Sequence, residues 1–211
     1  MARALLIVDV QNDFCRGGAL ATDRGDDVAA EISAYLLTHH AAYDVVVTTQ
    51  DWHIDPGTHF SENPDFTNSW PVHCVANSSG AAFHPDLDMD YVDAMFRKGE
   101  YEAAYSGFEG LLAPEDSVMT GEHEPGHMPE DTLKVSLDDW LQEQDVTDVD
   151  VVGIATDYCV RATALDAADA GYETRVLVDL TSAVADETAE TAVAELEDAG
   201  IQVIESTSVG R

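Results

Sequence analysis

Short apolar runs alternate with helical patterns along most of this chain, and this alternation constrains the fold more than any other feature. Apolar runs occur at residues 4–8, 45–49, 91–96, 149–155, 175–178 and 201–204. Helical patterns occupy residues 26–38, 133–144, 160–170 and 186–199. Continuous apolar strands that alternate with helices are typical of βαβ units, whose parallel sheet is covered on both faces. The pattern predicts an α/β protein with one open, mainly parallel sheet.

The length and apolar content predict one domain over residues 1–211. With 211 residues and 45% apolar residues, the chain is large enough to bury one full core. Two irregular stretches, at about 51–87 and 114–131, interrupt the alternation, and long irregular stretches inside compact domains are usually functional. We interpret the first as a metal-binding segment. The second carries many acids, three prolines, His123 and His127, and we interpret it as a solvated acidic loop, with a lid or a secondary metal contact as the alternative.

The charge balance is extremely acidic. Nine basic residues stand against 42 acidic residues, for a net charge of −33, and Lys98 and Lys134 are the only lysines. Self-repulsion of this size destabilises a folded chain unless counter-ions screen it. Because the acids are spread along the whole chain, a halophilic cytoplasm explains them better than a surface for a polycation. Nucleic acid is excluded as a partner, since no basic stripe could neutralise phosphates.

The cysteines and the N-terminus predict a soluble cytoplasmic protein. The chain has three cysteines, at positions 15, 74 and 159. This small, odd number does not fit a disulfide framework and indicates a reducing compartment. The apolar run at residues 4–8 is too short for a signal peptide or a membrane span. We therefore expect no membrane partner.

Reactive side chains follow four of the predicted strands. Asp9 ends the first apolar run, Asp51 and His53 follow the second, Lys98 follows the third, and Cys159 follows the run that ends at residue 155. Ligands of open parallel sheets bind outside the carboxyl ends of the strands. The sequence therefore predicts that an acid, a lysine, a thiol and a metal-ligand pair meet at one edge.

Cys159 lies where an apolar run turns into a helical pattern. A helix N-terminus offers unpaired N–H groups and a partial positive charge, which favour a thiolate and can hold an oxyanion. Asp9 could accept the thiol proton, and Lys98 would lower the thiol pKa and offset the cost of burying Asp9. Each residue also has a structural alternative: Cys159 could be a buried core cysteine, Asp9 a helix or turn cap, and Lys98 a member of a surface ion pair.

Asp51 and His53 are two residues apart, so in an extended chain their side chains share a face. His59 and His73 lie further along the irregular stretch. Carboxylates and imidazoles suit zinc, iron(II) or manganese, and the alternative is a set of polar histidines in an exposed loop. We interpret three other histidines as structural: His39 and His40 lie at the end of a predicted helix, and His84 precedes a proline.

Five blocks of the sequence resemble the nicotinamidase/pyrazinamidase family of isochorismatase-like cysteine hydrolases. They are IVDVQNDFC (7–15), DWHIDPGTHF (51–60), SWPVHC (69–74), KGEYEAAYSGF (98–108) and GIATDYCVR (153–161). The resemblance implies hydrolysis of nicotinamide, and also of pyrazinamide, through a cysteine thioester. Cys159 would be the nucleophile, Asp9 the general base and later acid, and Lys98 the charge that holds both ionised. It also implies a cis peptide before Ala155, whose N–H would form an oxyanion hole with that of Cys159.

The resemblance also implies a metal site and an aromatic pocket. Asp51, His53 and His73 would hold one divalent ion, which would bind the pyridine nitrogen of the substrate and so orient its amide. Zinc is the preferred ion, and iron or manganese are the alternatives. His59 matches a fourth ligand that only part of the family has. Five residues are expected to line the substrate pocket: Phe14, Trp70, Tyr105, Ile154 and Tyr158.

Two departures from the family pattern and two other functions stay open. Tyr158 stands where relatives often carry histidine, and the stretch at 114–131 is longer than the usual loop. A related amidohydrolase could act on a carbamoyl or ureido compound or a vinyl ether, but it would not need a metal to hold a ring nitrogen. An inactive binding module on the same fold is the other alternative. The oligomeric state stays open, a homo-oligomer included.

Overall fold

Seven strands form one sheet in the computed structural model, which describes residues 2–114 and 134–210. The sheet order is β4-β3-β2-β1-β5-β6-β7, and every neighbouring pair is parallel except β3 and β4. The strands are β1 (Ala2–Val8), β2 (Val45–Asp51), β3 (Ala94–Lys98), β4 (Leu111–Leu112), β5 (Val146–Ile154), β6 (Glu173–Ser182) and β7 (Gln202–Ile204). The predicted α/β class with an open, mainly parallel sheet is confirmed.

Four α-helices among the described residues cover the sheet. They are α1 (Gly25–His39), α2 (Leu137–Glu143), α3 (Arg161–Asp169) and α4 (Asp186–Asp198). At the end of α1, His39 stacks on Tyr35 and His40 packs against Tyr91, in agreement with structural roles. Within residues 2–114 and 134–210, no helix combines the length and the apolar character that crossing a membrane requires.

The core is divided between the two faces of the sheet, because neighbouring side chains of a strand point to opposite sides. Leu6 and Val8 of β1 pack in one cluster with residues of α2, α3 and α4. Leu5 and Ile7 pack in the other cluster with residues of α1. Both faces of β1 are fully buried, which explains its unbroken apolar run.

Several predicted elements differ from the structure at their ends, and one strand is new. The strand predicted from residue 91 begins at Ala94, because the preceding residues form a 3₁₀ turn capped by the Asp88 side chain. Helix α2 begins at Leu137, where the Ser136 side chain caps the helix by accepting from the Asp139 N–H. Strand β4 was not predicted, since a two-residue exposed strand has no readable periodicity. The predicted acidic loop at 114–131, with His123 and His127, lies outside the described residues apart from Pro114.

Strand β1 is the point at which successive strands change the side of the sheet to which they are added. One half of the chain extends the sheet from β1 through β2 to β4, and the other extends it from β5 to β7 on the opposite side. The carboxyl ends of β1 and β5 therefore flank a crevice, which is where open α/β sheets bind ligands. Asp9 follows β1 there with a left-handed backbone (φ 47°), a conformation that costs about 1–3 kcal/mol outside glycine.

Gly153 in β5 allows the two central strands to approach closely at this crevice. Its φ is +113°, and a Cβ atom at this position would lie 2.1 Å from the carbonyl oxygen of Val8. Gly153→Ala should lower the free energy of unfolding by about 3 kcal/mol or more, through both the clash and the backbone strain.

Gly171→Ala is the matched control, because Gly171 also has a positive φ (+97°) but a Cβ there would meet no atom within 4 Å. It should cost about 1 kcal/mol. Urea denaturation of both variants checks the difference. Equal losses would show that the approach of β1 and β5 is not a packing constraint.

Candidate active site

The ammonium group of Lys98 contacts Asp9, Asp51 and Cys159, three of the reactive side chains that the strand ends bring together. Its Nζ is 2.8 Å from Oδ2 of Asp9 and 2.5 Å from Oδ1 of Asp51. The same Nζ is 3.6 Å from Sγ of Cys159. The Lys98 side chain is fully buried. The predicted meeting of acid, lysine and thiol at one sheet edge is confirmed in position.

Two neighbours hold the acids in place, and sequence reasoning missed both. The hydroxyl of Thr49 donates to Oδ1 of Asp9 at 2.7 Å. The Gln11 side chain brackets the backbone of Asp51, accepting from its N–H and donating to its carbonyl oxygen, both at 2.9 Å. Their signal was present in the sequence, since Gln11 follows Asp9 closely and Thr49 precedes Asp51 on β2.

Burial sets the protonation state of the thiol. It raises the pKa of Cys159 well above its usual value, and the Lys98 charge opposes this without cancelling it. Burial also raises the pKa of Asp9, again against Lys98. The Lys98 charge acts on the thiol in the predicted direction, but burial is the larger effect and the thiol pKa is raised overall. In this state the thiol keeps its proton and has a carboxylate within reach, since the ligand atoms of Cys159, Asp9 and Asp51 lie within 4.8 Å of one another.

The turn that carries Cys159 is a π-helical turn over Thr156–Val160 that leads directly into α3. Buried Asp157 anchors it, because its carboxylate accepts from the backbone N–H groups of Val184 and Ala185 at 3.0 and 3.3 Å. Ala185 is the N-cap residue of α4. The turn that carries Cys159 is thus fixed to the start of another helix, a role for Asp157 that the sequence did not reveal.

The peptide bond between Ile154 and Ala155 is cis, as the sequence comparison predicts. Ala155 and Cys159 both line the cavity described below. The N–H groups of Tyr158 and Val160, on either side of Cys159, donate to the carbonyl oxygen of Ala155 at 3.1 and 3.0 Å. These bonds fix the turn on which the predicted oxyanion hole depends.

Three histidines of the irregular segment gather beside Asp51. Nδ1 of His53 donates to the Gly99 carbonyl oxygen at 2.6 Å, and Nδ1 of His73 donates to the Pro71 carbonyl oxygen at 2.8 Å. With the proton on Nδ1, each ring has its Nε2 lone pair free for a metal ion. Those Nε2 atoms lie 3.7 and 4.0 Å from Oδ2 of Asp51. The two backbone carbonyls therefore select the tautomer that a metal ligand needs.

The cluster fits a divalent metal ion. Ligand atoms of His53, His59 and His73 lie within 4.8 Å of one another. Among the described residues, Nε2 of His53 and Nδ1 of His59 are buried without a hydrogen-bond partner, which is costly unless another group binds them. Burial and the neighbouring His53 and His73 lower the pKa of His59 to about 4, so its ring is neutral and able to ligate. The alternative of polar histidines in an exposed loop is wrong, because all three are buried.

A cavity of about 270 Å³ extends from the thiol to the histidine cluster. Cys159 and Ala155 line it on one side, and Asp51, His59 and His73 line it on the other. Four of the five predicted pocket residues line it: Phe14, Trp70, Tyr105 and Tyr158. A flat ring held in this cavity would have the histidine cluster and the Cys159 thiol within reach at the same time.

The prediction that Ile154 lines the pocket is wrong. Ile154 is fully buried in the core under α1, because side chains alternate along β5 and this position points away from the cavity. Six further residues line the cavity and were not predicted, and of these only Ala104 lies in one of the five sequence blocks: Ala19, Leu20, Ala21, Phe66, Ala104 and Val184.

The aromatic wall is held by hydrogen bonds as well as by packing. The indole N–H of Trp70 donates to the Tyr105 hydroxyl at 3.0 Å. Tyr158 packs edge-on against Trp70, with ring centroids 4.9 Å apart, and its hydroxyl donates to the Phe66 carbonyl oxygen at 3.2 Å. A histidine side chain at position 158 would be shorter than tyrosine. Tyrosine therefore lets this position form a direct hydrogen bond with the backbone of Phe66.

Comparison with known proteins matches residues 3–116 and 130–208 to the isochorismatase domain. The chain is 48% identical over 202 residues to a nicotinamidase/pyrazinamidase of Mycobacterium tuberculosis, covering 96% of this chain and 98% of that protein. It is 36% identical over 191 residues to a nicotinamidase of Escherichia coli, covering 84% and 81%.

Solved structures share the fold. A pyrazinamidase of Pyrococcus horikoshii in complex with zinc superposes with a TM-score of 0.76 at 33% identity, covering 97% of this chain and 99% of that one. A protein of L. infantum in complex with nicotinate superposes with a TM-score of 0.79 at 31% identity, covering 99% and 95%.

Lys98→Met should lower the free energy of unfolding by about 3–5 kcal/mol, because it leaves two buried carboxylates without their counter-charge. The neighbouring Arg97→Met is the matched control. Arg97 lies over the Trp52 ring at 3.7 Å and is only partly buried, so its loss should cost about 1 kcal/mol. Denaturant unfolding of both variants gives the comparison. If the two losses were equal, Lys98 would not be the electrostatic centre of the site.

Proposed function

This chain belongs to the isochorismatase family, and we propose that it hydrolyses nicotinamide, and also pyrazinamide, to the carboxylate and ammonia. One observation carries the proposal: a buried thiol beside a lysine and a carboxylate opens into the same aromatic cavity as a cluster of buried histidines. The similarity to proteins named nicotinamidase supports the same substrate.

In the proposed reaction, Sγ of Cys159 attacks the amide carbon while the thiol proton passes to Asp9. The C–N bond of the tetrahedral intermediate then breaks, and Asp9 returns the proton to the leaving nitrogen, which departs as ammonia. Water attacks the resulting thioester and Asp9 accepts one of its protons. The C–S bond then breaks to release the acid, and Asp9 returns the proton to the Cys159 sulfur, which restores the thiol. The backbone N–H groups of Ala155 and Cys159 hold the oxyanion in both halves.

Lys98 makes this proton transfer feasible. Asp9 must accept and return a proton while it is fully buried, and the ammonium 2.8 Å away stabilises its charged form. The same ammonium, 3.6 Å from Sγ, favours the thiolate as it forms. Thr49 keeps the carboxylate oriented through its hydrogen bond.

We assign the metal to Asp51, His53 and His73, with His59 as a fourth ligand and zinc as the preferred ion. When bound, the ion would supply a Lewis-acid contact for the ring nitrogen of the substrate. The pyrazinamidase neighbour in complex with zinc supports this choice. A carbamoyl or ureido substrate has no ring nitrogen and would leave these ligands without a purpose, so we rank that activity second.

The same proposal places the enzyme in a halophilic cytoplasm, as one domain over residues 1–211. The net charge of −33 supports the high-salt setting. Cys15, Cys74 and Cys159 are free thiols, which supports a reducing compartment. The expected partner is a small-molecule substrate, without nucleic acid or membrane, and the oligomeric state, a homo-oligomer included, stays open.

Purified protein should release ammonia from nicotinamide, and Cys159→Ala should lower kcat by about four orders of magnitude or more, because the nucleophile is lost. Cys15→Ala, a change at another buried cysteine, is the matched control and should keep kcat within about threefold. Ammonia release measured at high salt checks both. Activity on N-carbamoyl compounds alone would overturn the substrate, and an active Cys159→Ala variant would overturn the mechanism.

Removing the metal should lower kcat/KM for nicotinamide by about 100-fold or more, and zinc should restore it. His73→Ala should show the same loss without rescue by zinc, whereas His39→Ala, at the end of α1, should behave like the unchanged protein. Assays before and after chelation, with metal content followed by elemental analysis, check this. Full activity in a metal-free sample would contradict the proposed role of the ion.

A further inference from the structure

A second cluster of metal-ligating side chains lies outside the catalytic cluster. Cys15 follows the 3₁₀ turn Asn12–Phe14, Asp26 lies in the first turn of α1, and His84 belongs to the irregular segment. One ligand atom from each of these three residues lies within 4.8 Å of the other two. Three separate parts of the chain therefore converge on one point.

The distances and the burial suit a bound ion. Nε2 of His84 is 3.5 Å from Oδ1 of Asp26, close to the spacing of about 3.3 Å that two ligands have at 2.0–2.1 Å from a tetrahedral zinc ion. The Cys15 side chain is buried, with 1% of its surface exposed. Within residues 2–114 and 134–210, no hydrogen bond involves its Sγ atom. His84 and Asp26 keep 14% and 28% of their side-chain surface exposed, so an ion could enter from solvent and meet the thiol behind them.

We propose that Cys15, Asp26 and His84 form a second metal site, which takes zinc or another divalent ion that accepts sulfur, nitrogen and oxygen ligands. With water in the fourth position, this set matches the ligand number and chemistry of zinc. A thiolate and a carboxylate neutralise the two positive charges of the ion, so the buried site carries no net charge.

Proton release accompanies binding. Burial, together with the charges of Asp26 and Asp86, raises the pKa of Cys15 to about 12, so the thiol is protonated until an ion replaces its proton. Binding through Nε2 places the remaining imidazole proton of His84 on Nδ1. At present Nδ1 of His84 accepts a hydrogen bond from the Asp86 N–H. In the metal-bound form Nδ1 would instead donate to the Asp86 carboxylate, whose Oδ2 lies 3.9 Å away. Carboxylates commonly orient ligating histidines in this way.

The remaining neighbour does not block the site. Arg16 donates its N–H to Oδ1 of Asp26 at 2.9 Å, and its Nε lies 3.5 Å from Oδ2. Its side chain is 82% exposed, so the guanidinium can turn into solvent at little cost, while the carboxylate keeps free lone pairs for an ion. A bound ion would join the segment that carries Phe14 of the pocket wall to α1 and to the irregular segment.

Cobalt(II) substitution tests the site through a signal that needs no activity. A cobalt ion bound to a thiolate gives a charge-transfer band in the near ultraviolet, whereas the proposed catalytic ligands are a carboxylate and histidines. The unchanged protein should bind two ions per chain and show the band. Cys15→Ser should bind one ion and lose the band, and Cys159→Ala should keep both, which excludes the catalytic thiol as its source.

Asp26→Asn and His84→Ala should weaken cobalt binding at this site at least tenfold and leave nicotinamide hydrolysis within about threefold of the unchanged protein. Far-UV circular dichroism shows whether each variant is folded, and Asp26→Asn, a nearly isosteric change, serves if Cys15→Ser does not fold. One ion per chain in the unchanged protein, or a band that survives Cys15→Ser, would overturn the proposal. Since ion counts and the band are read without substrate, a failed nicotinamide assay would leave this test unaffected.

Discussion

The buried ammonium of Lys98 is the interaction on which the site depends. Asp9 and Asp51 come from neighbouring strand ends, both are buried, and neither could stay ionised there without a positive charge between them. Lys98 lowers the pKa of Asp51 against the opposing effect of burial, which keeps that carboxylate available as a ligand. The same charge faces the thiol. Lys98 therefore links Asp51, beside the histidine cluster, to Asp9 and the Cys159 thiol.

Most of this arrangement could be predicted from the sequence, because it follows from strand ends. Asp9, Asp51, Lys98 and Cys159 each follow an apolar run, and a parallel sheet brings such positions together whatever the loops do. The structure brings these four side chains together for this reason, whereas His59 and His73 reach the site from the irregular segment. Their roles stay predictions, since the geometry shows proximity and burial but not turnover.

The remainder depends on three-dimensional contacts that leave no local pattern. Ile154, which is expected in the pocket, lies in the core instead, because side chains alternate along β5. The role of Asp157 was missed because its partners, at 184 and 185, are distant in sequence. The raised pKa of the Cys159 thiol also leaves no local pattern, since it results mainly from burial of the side chain in the folded protein.

The central position of β1 has a consequence for biosynthesis. Its partner β5 lies about 145 residues further along the chain, with Ala2 paired to Val146. A ribosome therefore releases Asp9, Asp51 and Lys98 long before Cys159, and until then one edge of the most apolar strand has no partner. Unpaired edges of this kind invite association between nascent chains. This edge is protected only once β5 has been made and has paired with β1.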